Sequence, residues 1–352
     1  MFGFTKIFNP RPCRTDSDTF GRVITYNCLM KSSLKKFGPY LIFFAAMLWA
    51  TDAPFRLQLT KDLPSNFIVL GEHFFDILIA LPIIFINWAD VKRLTLKGWL
   101  SVILVAVGGS ALASVAFTEA FHYVNPSVAI LLQKLQPFIA IGLAVALLRE
   151  KLPKRFWLWT FLAVFAAYVI SFPNLVPQVY QGETFNPNFV GVVLALVAAL
   201  FWGASTVLGK YALETISFKT MTALRFLLAF IFLLALNFYQ GTFSSIQRAN
   251  SRDWLFILII AVTSGIVSLF IYYKGLENTK ASVATVAELG FPLAAVIVNA
   301  IFISQPISFA QGLGMIVLLS AIYLLTRSEN EEKAEAGSGG GKAPAFSPVV
   351  NP

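Results

Sequence analysis

Long runs of apolar residues, separated by short polar segments, dominate this chain. A helix that crosses the hydrocarbon core of a bilayer needs about 20 mostly apolar residues. Outer-membrane strands alternate apolar and polar positions, so continuous runs of this length favour helices. We therefore predict ten membrane-spanning helices. They cover Phe37–Phe55, Asn66–Trp88, Trp99–Phe121, Pro126–Leu148, Phe156–Phe172, Phe189–Ala212, Phe218–Tyr239, Trp254–Tyr273, Ala281–Phe302 and Ile307–Thr326.

The composition supports a polytopic, all-α membrane protein. Hydrophobic residues make up 57% of the 352 residues and charged residues only 13%. A soluble domain is about 45–50% apolar and about 25% charged, so a soluble fold could not bury this excess. A disordered chain is excluded for the same reason.

Lysine and arginine are distributed unevenly between the two sides of the predicted bundle. With the N-terminus inside, 21 of the 27 basic residues lie on the inner side and four on the outer side. The remaining two, Lys134 and Arg225, lie within spans. The positive-inside rule therefore predicts both termini inside. Because no organellar targeting sequence is evident, the expected location is a bacterial inner membrane. The asymmetry explains the net charge of +9 without a nucleic-acid partner.

The segments outside the spans are read as connections and tails. Residues 1–37 form a basic cytoplasmic tail whose true start is placed at either Met1 or Met30. Residues 173–188 form an external connection, and residues 327–352 are expected to be disordered because they are charged and then Gly-rich.

An internal repeat relates the two halves of the chain. Residues 126–129, followed by Pro137, match residues 281–284, followed by Pro292, at an offset of 155. Residues 38–172 and 189–326 are thus predicted to be two five-helix units. Because five is odd, the second unit enters the membrane from the opposite side. Inverted repeats are typical of secondary transporters, whose substrate site lies near the midplane between the halves.

The repeat and three further motifs resemble the EamA-type branch of the drug/metabolite transporter superfamily. The motifs are Ala120-Phe121-His122-Tyr123-Val124-Asn125, Glu150-Lys151-Leu152 and Tyr272-Tyr273-Lys274-Gly275-Leu276-Glu277. The resemblance covers about residues 38–326. It implies a ten-helix carrier with a central cavity for a small metabolite. It also implies that the second span lies outside that cavity. One departure is Gln305, where the family commonly has Glu after the ninth span.

Two ionisable residues lie deep within spans, where a charge is costly and therefore a functional hypothesis. Lys134, which lies between Gln133 and Gln136, is predicted to bind an anionic group of the substrate. Glu288, in the ninth span, is predicted to bind an amine or to carry a coupled proton. Together the pair indicates a zwitterion. The alternative for Lys134 is a structural ion pair with a carboxylate.

Three further titratable residues lie together in the second span. Glu72 and Asp76 share one helix face, with His73 beside them, so they are also candidates for proton coupling. The alternative is pairing with Lys134 or with backbone groups. Arg225 is close enough to the inner surface to be interpreted as a structural anchor.

Prolines and tryptophans at matching positions of the repeat complete the candidates. Pro137 and Pro292 break the helical hydrogen-bond ladder, and are either hinges or packing kinks. Trp49 and Trp202 either stack on the substrate or pack against neighbouring helices.

The sequence thus predicts a secondary transporter that works by alternating access. An amino acid or a related zwitterion is the leading substrate, and proton coupling and a homodimer are open expectations. The alternatives are an exporter of organic anions, nucleotide-linked metabolites or toxic amphiphiles, and a channel-like protein. No nucleophile–base set, metal cluster or P-loop is found, so neither an enzyme nor a cofactor is predicted.

Overall fold

The computed structural model describes residues 37–124, 126–172, 174–175, 189–302 and 306–338. Each predicted span coincides with a continuous or interrupted helix, numbered α1 to α10 in chain order, and these residues contain no strand. The first five are α1 Gly38–Trp49, α2 Ser65–Ile86, α3 Leu96–Ala120, α4 Pro126–Gln133 with Gln136–Leu148, and α5 Lys154–Ser171. The others are α6 Phe189–Ala212, α7 Phe218–Gln240, α8 Ser251–Leu276, α9 Ala281–Ala287 with Gly290–Phe302, and α10 Phe309–Ser338.

Eight of these helical stretches in the described part of the chain are long and apolar enough to cross a membrane. The two outside that set are α1, which has only 12 residues, and α5, which begins with two basic residues. The prediction of an all-helical, polytopic membrane protein is confirmed. The count of ten spans and the inner position of both termini stay predictions.

Four helices are interrupted at positions that the repeat relates. A π-helical segment lies within α3 at Val105–Leu112 and within α8 at Ala261–Val267. In α4 the helix breaks just before Pro137, because proline lacks an N–H and its ring clashes with the carbonyl four residues earlier. In α9 a corresponding break precedes Pro292. The sequence pattern did not predict the π segments.

The two halves pack into each other rather than side by side. Helix α1 packs on α8 and α9, and α6 packs on α3 and α4 in the corresponding way. Helix α2 packs on α7, α4 on α9, and α5 on α10, so these pairs join repeat mates. This reciprocal packing is what a two-fold relation between the halves requires.

The chain after Thr326 differs from the prediction. Residues 327–338, expected to be disordered, continue α10 to Ser338. The residues are good helix formers, and Arg327 Nε lies 2.8 Å from Glu331 Oε1 one turn later. The connection 176–188, residue Gln305, and the tails at 1–36 and 339–352 lie outside the described residues.

A glutamate at the end of α4 holds the start of α9. The Glu150 carboxylate accepts the backbone N–H of Ala281 at 2.7 Å and that of Ser282 at 3.1 Å, and the Ser282 hydroxyl at 2.5 Å. The first backbone N–H groups of a helix have no partner within the helix. Glu150 therefore links the two halves of the chain.

We expect Glu150→Ala to lower the free energy of unfolding by about 1–3 kcal/mol, because three donors lose a charged acceptor. Chemical denaturation in detergent micelles measures the change. Glu331→Ala, which removes an exposed ion pair, is the matched control and should change it by less than about 1 kcal/mol. Equal effects of the two substitutions would contradict the link.

Single-cysteine labelling tests the topology. With Cys13 and Cys28 replaced by serine, a thiol reagent that does not cross membranes should label Lys61→Cys in intact cells. It should label Lys92→Cys only after permeabilisation. Both side chains are exposed in the structure, so a difference in labelling would not come from burial of one of them within the protein. Labelling of both in intact cells would refute the predicted arrangement.

Candidate functional site

A cavity of about 230 Å³ lies between the two halves of the protein. Residues of α1 to α4 and of α6 to α9 line it, whereas α5 and α10 contribute none. Helices α5 and α10 are repeat mates, so the lining of the cavity, like the helix packing, follows the two-fold relation between the halves. Its walls combine aromatic rings with a small number of convergent polar groups, as in sites for small organic molecules.

Two tryptophans at matching positions of the repeat line this cavity. Trp49 Nε1 donates to Ser268 Oγ at 2.9 Å, and Trp202 Nε1 donates to the Gly109 carbonyl at 3.0 Å. Both acceptors belong to α3 or α8, in or beside their π segments. The Trp49 ring lies 5.4 Å from that of Tyr272. Both indole N–H groups are bound by protein, so a ligand in the cavity would contact the rings of these residues rather than their N–H groups.

Glu288 is the centre of a hydrogen-bond network in one wall of the cavity. Its Oε1 accepts Tyr272 OH at 2.7 Å and Thr206 Oγ1 at 3.0 Å, and its Oε2 accepts Gln136 Nε2 at 2.6 Å. The four side chains come from α4, α6, α8 and α9. A ligand that rearranges one of them would therefore act on helices of both halves. Gln133 also lines the cavity.

Arg225 reaches the cavity, which differs from its interpretation as an anchor at the inner surface. Its Nε donates to Ser110 Oγ at 2.5 Å, and its Nη1 donates to Tyr273 OH at 2.8 Å. The side chain is buried, and it makes no ion pair with a described carboxylate. Depth along a helix, from which the anchor was inferred, does not tell which way a side chain points.

A second arginine, Arg56, closes one part of the cavity with two carboxylates. Its Nη1 lies 2.9 Å from Glu72 Oε1, and its Nη2 lies 3.0 Å from Asp52 Oδ2. Arg56 follows α1 in the short helix Ala53–Leu59. A signal for this group is present in the sequence, because Asp52 and Arg56 stand four residues apart, a spacing at which side chains on a helix meet.

The second span lines the cavity, which corrects the expectation drawn from the resemblance. Glu72, His73 and Asp76 all contribute to the lining. Glu72 pairs with Arg56 rather than with Lys134. The reason is the packing of α2 against both α7 and the π segment of α8, which turns this face inward. No group of three metal-ligating side chains occurs among the described residues.

Lys134 does not line the larger cavity. It lines an adjoining pocket of about 30 Å³, which shares Gln133, Gln136, Glu288 and Phe291 with the larger one, and its Nζ lies 6.0 Å from the centre of the Phe291 ring. Its pairing with Glu288 for substrate binding stays a prediction. Among the described residues it makes no ion pair. Lys134 falls in the turn between the two segments of α4, just before Pro137. Pro137 and Pro292 line the same small pocket, and their role as hinges stays a prediction.

The EamA-like transporter family matches the chain twice, at residues 36–172 and 189–327. The riboflavin transporter ImpX of Fusobacterium nucleatum is 31% identical over 296 residues, which cover 82% of this chain and 98% of that protein. The uncharacterized transporter YetK of Bacillus subtilis is 22% identical over 301 residues, which cover 85% of this chain and 90% of that protein.

One solved structure shares the fold. Its TM-score is 0.65 at 14% sequence identity, over 83% of this chain and 97% of that one. The two family matches meet the boundaries of the repeat, and the apolar helices make the chain a multi-pass protein of the cell inner membrane. This protein is a member of the EamA-like transporter family.

Proposed function

We propose that this protein carries riboflavin, or a closely related flavin, across the membrane by alternating access. The observation that carries the proposal is the aromatic lining of the cavity, to which Trp49 and Trp202 contribute from the two halves. Stacking of a heteroaromatic base on an aromatic side chain is worth about 1–3 kcal/mol. The relative named as a riboflavin transporter, matched over nearly its whole length, supports the same substrate.

The polar groups of the lining complement the edge of a flavin ring. That edge carries carbonyl oxygens and an imide N–H, which need both donors and acceptors. The amide groups of Gln133 and Gln136 supply both kinds, and the hydroxyl of Thr206 adds another. The ring would then be held by its faces and along one edge.

An amino acid or similar zwitterion is the second candidate. Its original support was Lys134 acting with Glu288. These two side chains line a small pocket of about 30 Å³ together, but Lys134 is not among the residues that line the larger cavity. The specific observation in its favour is Arg225, a cavity cation without an ion-pair partner among the described residues. An organic anion would use the same arginine, but the lining also carries four carboxylates, those of Asp52, Glu72, Asp76 and Glu288.

The reciprocal packing of the repeat supports alternating access rather than a continuous channel. Exchange of the conformations of two equivalent halves would open the cavity to the other side. Proton coupling stays a prediction, and its candidate groups, Glu288, Glu72, Asp76 and His73, all line the cavity. A homodimer stays a prediction as well.

Binding tests the substrate directly. Riboflavin added to the purified protein in detergent should show saturable quenching of its fluorescence, because the ring stacks on tryptophan. Trp202→Leu should weaken the affinity about tenfold, as expected for the loss of one stacking partner. Trp157→Leu is the matched control and should leave the affinity unchanged. Trp157 is half-exposed, and it belongs to α5, which contributes no residue to the lining of the cavity. A wild-type protein that shows no saturable quenching would refute the proposal.

A pair of substitutions separates the two candidate substrates. Glu288→Gln should weaken riboflavin binding about tenfold, because the three donors around Glu288 lose a charged acceptor and rearrange. Lys134→Met should leave it within about twofold, since Lys134 lies outside the cavity. The same fluorescence titration measures both, with amino acids added as competitors. Displacement by an amino acid, together with a loss of affinity in Lys134→Met, would favour the zwitterion instead.

A further inference from the structure

Two hydrogen-bond acceptors without donors lie one turn apart on α2. His73 is 6% exposed and Asp76 is 1% exposed, and both line the cavity. His73 Nε2 and Asp76 Oδ1 are buried, and neither has a hydrogen-bond partner among the described residues. They belong to a wall different from the network around Glu288.

The backbone fixes the role of each nitrogen of His73. Its Nδ1 lies 2.9 Å from the carbonyl oxygen of Val69, which can only accept a hydrogen bond. The Nδ1 atom therefore carries the hydrogen, and in the neutral ring Nε2 is left as an acceptor. The Phe226 ring packs against the imidazole in a T-shaped arrangement, with the two ring centres 6.1 Å apart. This contact keeps the imidazole in its orientation.

Asp76 is held against the π segment of α8. A Cβ at Gly265 would lie 2.7 Å from Asp76 Oδ1, so glycine is needed at that position. The two neighbouring arginines are engaged elsewhere. Arg56 pairs with Glu72, and Arg225 donates to Ser110 and Tyr273. Asp76 itself makes no hydrogen bond or ion pair with a described residue.

A buried acceptor without a donor costs stability, and more so when it is charged. Two such acceptors side by side in a cavity wall therefore indicate a ligand that brings donors in a row. The ring of a flavin does not supply such a row, because its edge carries a single N–H donor among carbonyl acceptors. A short chain of hydroxyl groups does, since each hydroxyl can donate one hydrogen bond.

We propose that His73 and Asp76 form a subsite for the hydroxylated chain of the substrate, while the tryptophans take its ring. The inference rests on the proposed function, since riboflavin joins a planar ring to a chain of hydroxyl groups. The subsite makes the pair a determinant of specificity. A metal ion is a poorer occupant, because no group of three ligating side chains occurs among the described residues.

Two ligands that differ only in the chain test the subsite. Lumiflavin carries a methyl group in place of the hydroxylated chain of riboflavin. The dissociation constants of both are measured by fluorescence titration on the full chain in detergent. Asp76→Asn and His73→Phe should each weaken riboflavin binding about five- to tenfold and leave lumiflavin binding within about twofold. Trp202→Leu is the reciprocal control, and should weaken both ligands alike.

The outcomes separate this subsite from the proposed function. A wild-type protein that binds neither ligand refutes the substrate itself. If it binds both with equal affinity, or if the α2 variants weaken both equally, the subsite is refuted and the flavin remains. Loss of transport with both affinities unchanged also refutes the subsite, since that result is expected when Asp76 only carries a proton. Thermal unfolding without ligand verifies that each variant folds. If Asp76→Asn does not fold, His73→Phe, which keeps a ring at this position, tests the subsite by itself.

Discussion

A polar group in the hydrocarbon core must find its partner within the protein, and here the partners belong to opposite halves of the chain. Glu288 accepts hydrogen bonds from Gln136 of the first half and from two residues of its own half. Arg225 of the second half donates to Ser110 of the first. The bonds from Gln136 to Glu288 and from Arg225 to Ser110 cannot form within a single five-helix unit, so the two units fold around a shared polar interior.

That interior depends on close approach of the helices, which small residues and π segments provide. In α3 the π segment brings the Gly109 carbonyl to the indole of Trp202, and Ser110 to Arg225. The equivalent segment of α8 places Gly265 against Asp76. The α3 segment therefore binds Trp202 and Arg225. The α8 segment contacts Asp76, and Ser268, directly after it, accepts the hydrogen bond of Trp49. Such local insertions into an α-helix occur frequently at functional sites.

The apolar runs were sufficient to predict the helices. Only helices and closed barrels satisfy the backbone in lipid, and barrel strands would alternate apolar and polar positions. The repeat could also be recognised, since Trp49 and Trp202 stand at corresponding positions. The direction of individual side chains could not be predicted. Lys134 was expected to bind substrate because it lies deep in a span, but depth does not tell which of two adjoining pockets a side chain lines. Lys134 lines the smaller one, together with Glu288. Arg225 was placed outside because its depth allowed it to reach the inner surface.

The two halves share a fold but differ in chemistry, and this difference gives the cavity its selectivity. The tryptophans are the symmetric part, since each half contributes one indole whose N–H donates to an oxygen atom of the other half. The acceptors His73 and Asp76 are the asymmetric part, because the repeat mate of His73 is Arg225, a donor. A symmetric cavity would hold a ligand in two equivalent orientations. Acceptors on α2 and donors on α7 remove that equivalence, so a molecule with a flat ring at one end and hydroxyl groups at the other is held in one orientation.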